Sequence, residues 1–338
     1  MSDNPQHYVL SPGDVIGIRQ VAARLRESRM HPRDPRFYDE YWDLYAELPH
    51  DLRAFLERFR RIEEAPIAVV EGLPVNEDAV GLTPPDWETA AMDPTVHDHD
   101  ALMAMCSLAL GDPFTWSTLQ SGAMIQDLLP IKGDEHRQNG YSSDVLLEFH
   151  TEDGFHPARC DYLMLFGVRN HDEVPTYVAS ISDVRLAEQD RRTLSEPRFY
   201  ILPDDEHIRQ LQQRYPDHPS LARAIEMQQA PAPVPVLFGD RLNPYLRIDR
   251  PFMRCDTGDV EGERALDSLI AELKRRQRSV VVEQGMLLIV DNYRAVHGRR
   301  AFRSRYDGTD RWLKRMIVSR DLRKAQADRS STSRRVLF

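Results

Sequence analysis

The chain predicts a mainly β fold with flanking helices, an antiparallel barrel or sandwich of short strands. Three observations lead there. Short runs of β-type residues bounded by turn residues recur from Pro66 onward. They do not alternate regularly with helical segments, which argues against a parallel sheet. A composition of 41% hydrophobic and 29% charged residues over 338 positions suits a globular protein with a sizeable core.

The N-terminal part reads as helix. Ser11 and Pro12 suit an N-cap and first helical position, and Asp14 completes a capping-box-like start. Val15, Ile18, Val21, Ala22 and Leu25 follow at helical spacing. A second helix is predicted from Asp34 to Leu48, and a third around Leu52, Phe55, Leu56 and Phe59. Strands are then predicted at Ile67-Val70, Ala123-Ile125, Val145-Phe149, Tyr162-Val168, Thr176-Ile181 and Phe199-Leu202. Further strands are predicted at Pro233-Phe238, Tyr245-Ile248, Val280-Val282, Met286-Val290 and Leu313-Val318. Helices are expected near Asp100-Leu110, Asp183-Leu194, His207-Tyr215 and Glu261-Arg275, the last with an apolar stripe of Ala265, Leu266, Leu269, Ile270 and Leu273. Two polar stretches, Asn76-Asp100 and Lys132-Asp144, have the length of functional lids or connectors. The tail after Ala325 reads as frayed. With no repeat and no linker, residues 1–338 are expected to form one domain: a helical part over 1–65, a strand-rich core with insertions over 66–323, and a tail over 324–338.

Acids outnumber bases by 54 to 44, a formal net charge of -10, which disfavours nucleic acid as a partner. Runs such as Met286-Val290 are too short to span a bilayer, and the first residues lack a charged-then-apolar signal pattern. Cys106, Cys160 and Cys255 are odd in number and widely spaced, so neither a disulfide framework nor a thiolate zinc site is expected, and the reducing cytoplasm is the expected compartment. Only four bases are lysines, so any single arginine is a weak sign of function.

Chemistry concentrates in Val145-Leu146-Leu147-Glu148-Phe149-His150-Thr151-Glu152, an apolar strand ending in His-x-Glu. Residues i and i+2 of a strand face the same way, so His150 and Glu152 present an imidazole and a carboxylate together. A distant histidine would complete the two-His-one-carboxylate set that leaves positions open on Fe(II). The pattern is weak alone, because 12 histidines and 54 acids give about two chance matches. The second match, His171/Glu173, sits in a turn that offers no rigid platform. His97-Asp98-His99-Asp100 reads as a solvated loop and helix start. His297, at the end of a buried run from Gly285, is the candidate third ligand, with a strand-end core histidine as the competing reading. After the turn at Asp307-Gly308, Arg311, Leu313 and Arg315 share one strand face; two arginines pointing inward would need anions, whereas an outward face would leave them solvated.

Three segments carry a resemblance: His150-Thr151-Glu152-Asp153, Asn292 through Phe302, and Arg305 through Arg315. Asp127 through Gly133 and Pro244 through Asp249 add to it. Together they resemble the clavaminate synthase-like Fe(II)/2-oxoglutarate oxygenases, with most likeness to the amino-acid hydroxylases of that group, and the likeness spans residues 8 to 323. The resemblance implies a double-stranded β-helix (jelly-roll) core and a single catalytic domain. It implies His150, Glu152 and His297 as Fe(II) ligands and Arg311 as the partner of the distal carboxylate of 2-oxoglutarate. It further implies Arg315, with Glu152, Gln120 and Asp249, as contacts of a small-molecule amino acid, and the 132–144 stretch as a lid. The implied reaction couples oxidative decarboxylation of 2-oxoglutarate by O2 to hydroxylation of an unactivated C3 or C4 of a free L-amino acid. Asp249 favours a basic one. Pro251 and Leu119 stand where the arginine hydroxylase offers an acid and an amide, which moves the expectation from arginine toward lysine or a modified basic amino acid. Two alternatives stay open: an oxygenase of the same fold acting on a carrier-bound or peptidyl residue, and a non-oxygenase metal-binding jelly roll, with zinc for example.

Overall fold

The computed structural model describes residues 6–28, 30–214, 216–330 and 333–337. In chain order the strands are β1 (Gln6–Val9), β2 (Ile67–Glu71), β3 (Asp112–Trp116), β4 (Gln126–Leu128), β5 (Leu147–His150), β6 (Tyr162–Arg169), β7 (Pro175–Ser180) and β8 (Phe199–Ile201). They continue with β9 (Leu237–Gly239), β10 (Pro244–Leu246), β11 (Met253–Cys255), β12 (Arg278–Val281), β13 (Leu287–Asp291), β14 (Ala295–Arg299), β15 (Trp312–Ser319) and β16 (Val336–Leu337). The helices are α1 (Pro12–Glu27), α2 (Phe37–Glu40), α3 (His50–Ile62), α4 (Glu77–Val80), α5 (Trp87–Ala91), α6 (Asp98–Leu110), α7 (Glu188–Leu194), α8 (Asp205–Arg214), α9 (Pro219–Gln229) and α10 (Val260–Arg276).

A large sheet runs β1-β2-β13-β6-β15-β3-β16, with β4 also paired to β15, and a smaller one runs β12-β7-β14-β5. Period-two burial explains the layers. On the large sheet, Met164, Phe166, Leu287 and Ile289 pack on the outer face with α1, α3 and α6. Their neighbours Leu163, Leu165, Leu288 and Val290 turn inward and meet Val178 and Ala295 of the small sheet. The small sheet's other face, with Ala179 and Val296, is covered by α7 and α10 through Leu194, Leu266, Leu269 and Leu273. His297 follows Ala295 by two residues and therefore faces the space between the sheets. This is the jelly-roll arrangement the resemblance implies.

Several expectations change. The capping box of α1 and its buried stripe form as predicted. The helix expected over Asp34-Leu48 breaks into α2 and a 3-10 turn at Leu44–Glu47. Adjacent Phe37 and Tyr38 are both fully buried, and one helix stripe does not bury consecutive large residues. Ala123-Ile125 is not a strand; Met124 N–H donates to Arg33 O at 2.9 Å, and pairing begins at Gln126. The division at residues 65 and 323 does not follow the sheet, because β1 joins β2 and β16 joins β3, both in parallel. Nor is the tail frayed over its described residues. Buried Arg335 donates to Asp39 at 2.9 Å and to the Pro113 and Tyr38 carbonyls at 3.1 Å. His97-Asp100 does open a helix, with the Asp100 carboxylate accepting the His97 N–H at 2.9 Å, but His99 and Asp100 are buried rather than solvated. The His99 ring stacks on Phe166, and burial lowers its pKa to about 4.

Candidate active site

The small sheet sets two histidines face to face. In the antiparallel pairing of β5 and β14, His150 lies opposite His297, with ring centroids 4.2 Å apart. Gly298 permits the approach, since a Cβ there would fall 2.6 Å from Leu147 O. The His150 Nδ1–H donates to Glu148 O at 2.9 Å, which leaves Nε2 facing Glu152. Glu152 Oε2 lies 4.0 Å from His150 Nε2 and 3.2 Å from His297 Nε2. The ligand atoms of the three residues all lie within 4.8 Å of one another, and among the described residues no other such group is found. His171/Glu173 is therefore not part of one.

Backbone contacts hold this loop. Asn292, fully buried, accepts the Glu152 N–H at 2.6 Å and donates to Glu152 O and Cys160 O, both at 3.0 Å. The hydroxyl of Thr151 donates to Ile248 O at 3.0 Å and accepts Ile248 N–H at 3.1 Å. This strap brings Asp249 into a bridge with His150. Burial opposes ionisation of Glu152, yet the Arg315 guanidinium and both imidazoles hold its carboxyl well below the usual range. Burial, reinforced by His297, lowers the His150 pKa to about 4, so its ring is neutral and available as a ligand at neutral pH.

A cavity opens on these residues, lined also by Arg311, Arg315, Arg299, Thr176 and Asp249. Arg311, 6% exposed, has a buried Nε without a hydrogen-bond partner, and burial plus neighbouring Arg299 lower its pKa to about 9. Thr176 Oγ1 is likewise buried without a partner. Both residues line the cavity with hydrogen-bonding capacity unmet within the protein. Arg315 is buried too, pairing with Glu152 and donating to Gln126 Oε1 at 3.1 Å. The solvated reading of both arginines is therefore wrong. Asp249, 8% exposed, is pushed well above the carboxylate range by burial and by Asp204, Glu152 and Asp153. Asp204 is also raised, chiefly by burial. The charges acting on Asp249 are acids, whereas the one acting on Arg311 is Arg299.

Gln120 departs from expectation. Its Nε2 donates to Asp127 O at 2.8 Å and to Tyr141 Oη at 3.0 Å, and its Oε1 accepts Asp127 N–H at 3.0 Å. The amide is consumed inside the protein, and it is Tyr141 and Leu119 that line the cavity. Sequence reasoning missed Asn292, Thr176, Asp204 and Glu206. Asn292 follows Asp291 in the polar turn after an apolar strand, which is the one local mark it carries; Asp204 lies in the turn before a polar helix, and nothing local marks it. The 132–144 stretch reaches the cavity through Gln138, Asn139, Gly140 and Tyr141.

Residues 117–317 match the model of the taurine catabolism dioxygenase TauD, TfdA family. The chain belongs to the TauD/TfdA family. It is 41% identical to enduracididine beta-hydroxylase of Streptomyces hygroscopicus, an alignment covering 97% of this chain and 98% of that protein. It is 38% identical to L-ornithine/L-arginine 3-hydroxylase of Catenulispora acidiphila, over 97% and 98% of the two chains. Among solved TauD/TfdA-like structures, the non-heme iron oxygenase OrfP with Fe, succinate and (3S)-hydroxy-L-Arg superposes with a TM-score of 0.91 at 35% identity, covering 98% of this chain and 99% of that one. OrfP is also known in complex with Fe and alpha-ketoglutaric acid.

Proposed function

We infer that this protein is an Fe(II)- and 2-oxoglutarate-dependent oxygenase that hydroxylates C3 of a free L-amino acid with a cationic, arginine-type side chain. The observation that carries the reading is the cavity around His150, Glu152 and His297, which sets the unpaired guanidinium of Arg311 and the raised carboxyls of Asp249 and Asp204 in one lining. Two imidazoles and one carboxylate form the donor set suited to Fe(II) with open positions, so the residues fit the metal. When bound, the metal with 2-oxoglutarate supplies the oxidising power drawn from O2, which no side chain has.

The chain's own residues orient and enclose. Arg311, in a cavity that Thr176 also lines, takes the distal carboxylate of 2-oxoglutarate through its guanidinium fork. Arg315 receives the amino acid's carboxylate, its guanidinium also pairing with Glu152. Asp249 and Asp204 face the cationic end; their high pKa values fall when a guanidinium arrives, because an adjacent cation favours the carboxylate. Asp204 supplies the acid that Pro251 removes, which restores arginine as the favoured type. Leu119, Leu128 and Phe155 keep the cavity wall dry, and the 132–144 stretch closes over the bound molecules.

The relatives support this reading by name, two being amino-acid hydroxylases and OrfP holding a hydroxyarginine. The whole chain acts as one catalytic domain in the cytoplasm, in keeping with its three free cysteines; among the described residues no helix is long and apolar enough to cross a membrane. The test is a panel of free amino acids, with arginine, enduracididine, ornithine, lysine and neutral controls, followed by succinate release and product mass. Arginine-type substrates are expected to gain one oxygen; preference for a neutral amino acid, or no amino-acid-dependent succinate, overturns the assignment.

A further inference from the structure

Helix α8 meets the loop behind Glu152 through one buried side chain. His207, 2% exposed, places Nε2 3.3 Å from Asp153 Oδ1 and Nδ1 2.5 Å from Thr118 Oγ1. Phe155 and Trp116 stand edge-on to its ring, at 5.0 and 6.1 Å. Asp153 follows Glu152 directly, adopts a left-handed φ of 53°, and also accepts Trp116 Nε1–H at 2.6 Å. Just before the first turn of that helix, Asp204 Oδ1 accepts the His207 N–H at 3.1 Å. The acid of the cavity wall and the imidazole that anchors its helix are thus one rigid unit.

The other polar ties of α8 lead to Gln120, whose N–H donates to Gln210 Oε1 at 2.8 Å, and to the 132–144 stretch. Arg209 donates to Asp134 at 3.0 Å, and Asn139 donates to Glu206 at 3.2 Å. His207 alone among these ties reaches the loop that carries Glu152.

We propose that His207 is a positioning residue for substrate choice: it docks α8, and with it Asp204, at a fixed place relative to the three metal-facing side chains. A free amino acid must present one carbon to the metal while its cationic end meets the acids. A wall that drifts by an ångström therefore costs both affinity and coupling. This inference rests on the function proposed above.

His207→Leu fills the space without either bond, and His207→Gln keeps a donor for Asp153. The Leu variant is expected to raise KM for arginine at least 10-fold. It should also release a larger share of succinate without hydroxylated product, with KM for 2-oxoglutarate unchanged. The Gln variant is expected within a few-fold of the parent. Wild-type KM and coupling in the Leu variant overturn the proposal. So does an equal rise in KM for 2-oxoglutarate, which would make His207 a packing residue of the metal loop. Should the Leu variant not fold, Thr118→Val removes the second anchor alone and is expected to raise the same KM by less; no rise there counts against the proposal. Amide exchange across residues 205–214 reads the docking without turnover. Faster exchange in the Leu or Val variant supports the anchor even if the parent protein accepts none of the basic amino acids, an outcome that would refute the function and not the docking.

Discussion

Arg311 is the residue whose surroundings ask most plainly for a ligand. A guanidinium that is buried, flanked by Arg299 and left with an unpartnered Nε is costly until an anion binds. Replacing it by Ala is expected to raise KM for 2-oxoglutarate about 100-fold, and Lys, which lacks the planar fork, is expected to recover only part of that. Steady-state kinetics with varied 2-oxoglutarate decide it; an unchanged KM removes Arg311 from the site. Asn292 acts differently, through the backbone of Glu152. Asn292→Ala is expected to weaken metal binding about 10- to 100-fold and to cost about 1–3 kcal/mol of stability, read by metal titration and by urea unfolding. Strand periodicity pointed to His150 and Glu152 together, although β5 ends at His150 and it is the turn after it that brings Glu152 round. His297 was legible because an apolar run leads into it, and Arg311 and Arg315 because they alternate around Leu313. Gln120 misled because sequence shows a polar side chain without showing which backbone groups have already claimed it.

The β5–β14 pair does for the site what no single side chain does. It sets His150 opposite His297, and the bare Cα of Gly298 lets the strands close up. Gly298→Ala is expected to push Leu147 O away, part the two imidazoles and reduce metal affinity at least 10-fold while the fold persists. Isothermal titration with a divalent metal checks this, and wild-type affinity in the variant contradicts it. Strands with apolar runs were legible even at three residues, as in β8, whereas five-residue β3 and β14 were not predicted, their runs broken by Asp112 and Pro113 and by His297 and Arg299; β11 and β16, of three and two residues, carry too little pattern to be seen. The helix predicted over Asp34-Leu48 survives only in part as α2, because the burial of both Phe37 and Tyr38 overrode a helical periodicity. The acidic wall depends on pairing that only the folded chain reveals, since the Thr151–Ile248 strap brings Asp249 beside His150.

For the molecule as a whole, buried imidazoles set the acid limit of stability. Burial lowers His99 to about 4 and His156 to about 3, below the ordinary 6.5. Below 6.5 the unfolded chain therefore binds protons that the folded one refuses. The stability these groups contribute is intact above pH 6.5 and is lost as pH falls toward 4, at up to about 1.4 kcal/mol per pH unit for each. His99→Phe, which keeps the stack on Phe166, is expected to flatten the fall in urea-unfolding free energy between pH 6.5 and 5 by about that slope; an unaltered slope contradicts it. The layered β architecture was legible in the spacing of apolar runs, whereas the burial of His99 and Asp100 was not, because helix starts are commonly solvated and only the packing of α6 on the large sheet draws this one inside. The most direct test of the central claim follows the fate of isotopically labelled O2 with Fe(II), 2-oxoglutarate and an arginine-type amino acid. The account predicts one labelled oxygen in succinate and one in the hydroxylated amino acid, with both lost in Glu152→Ala. Product carrying no label, or labelling that survives in that variant, would contradict it.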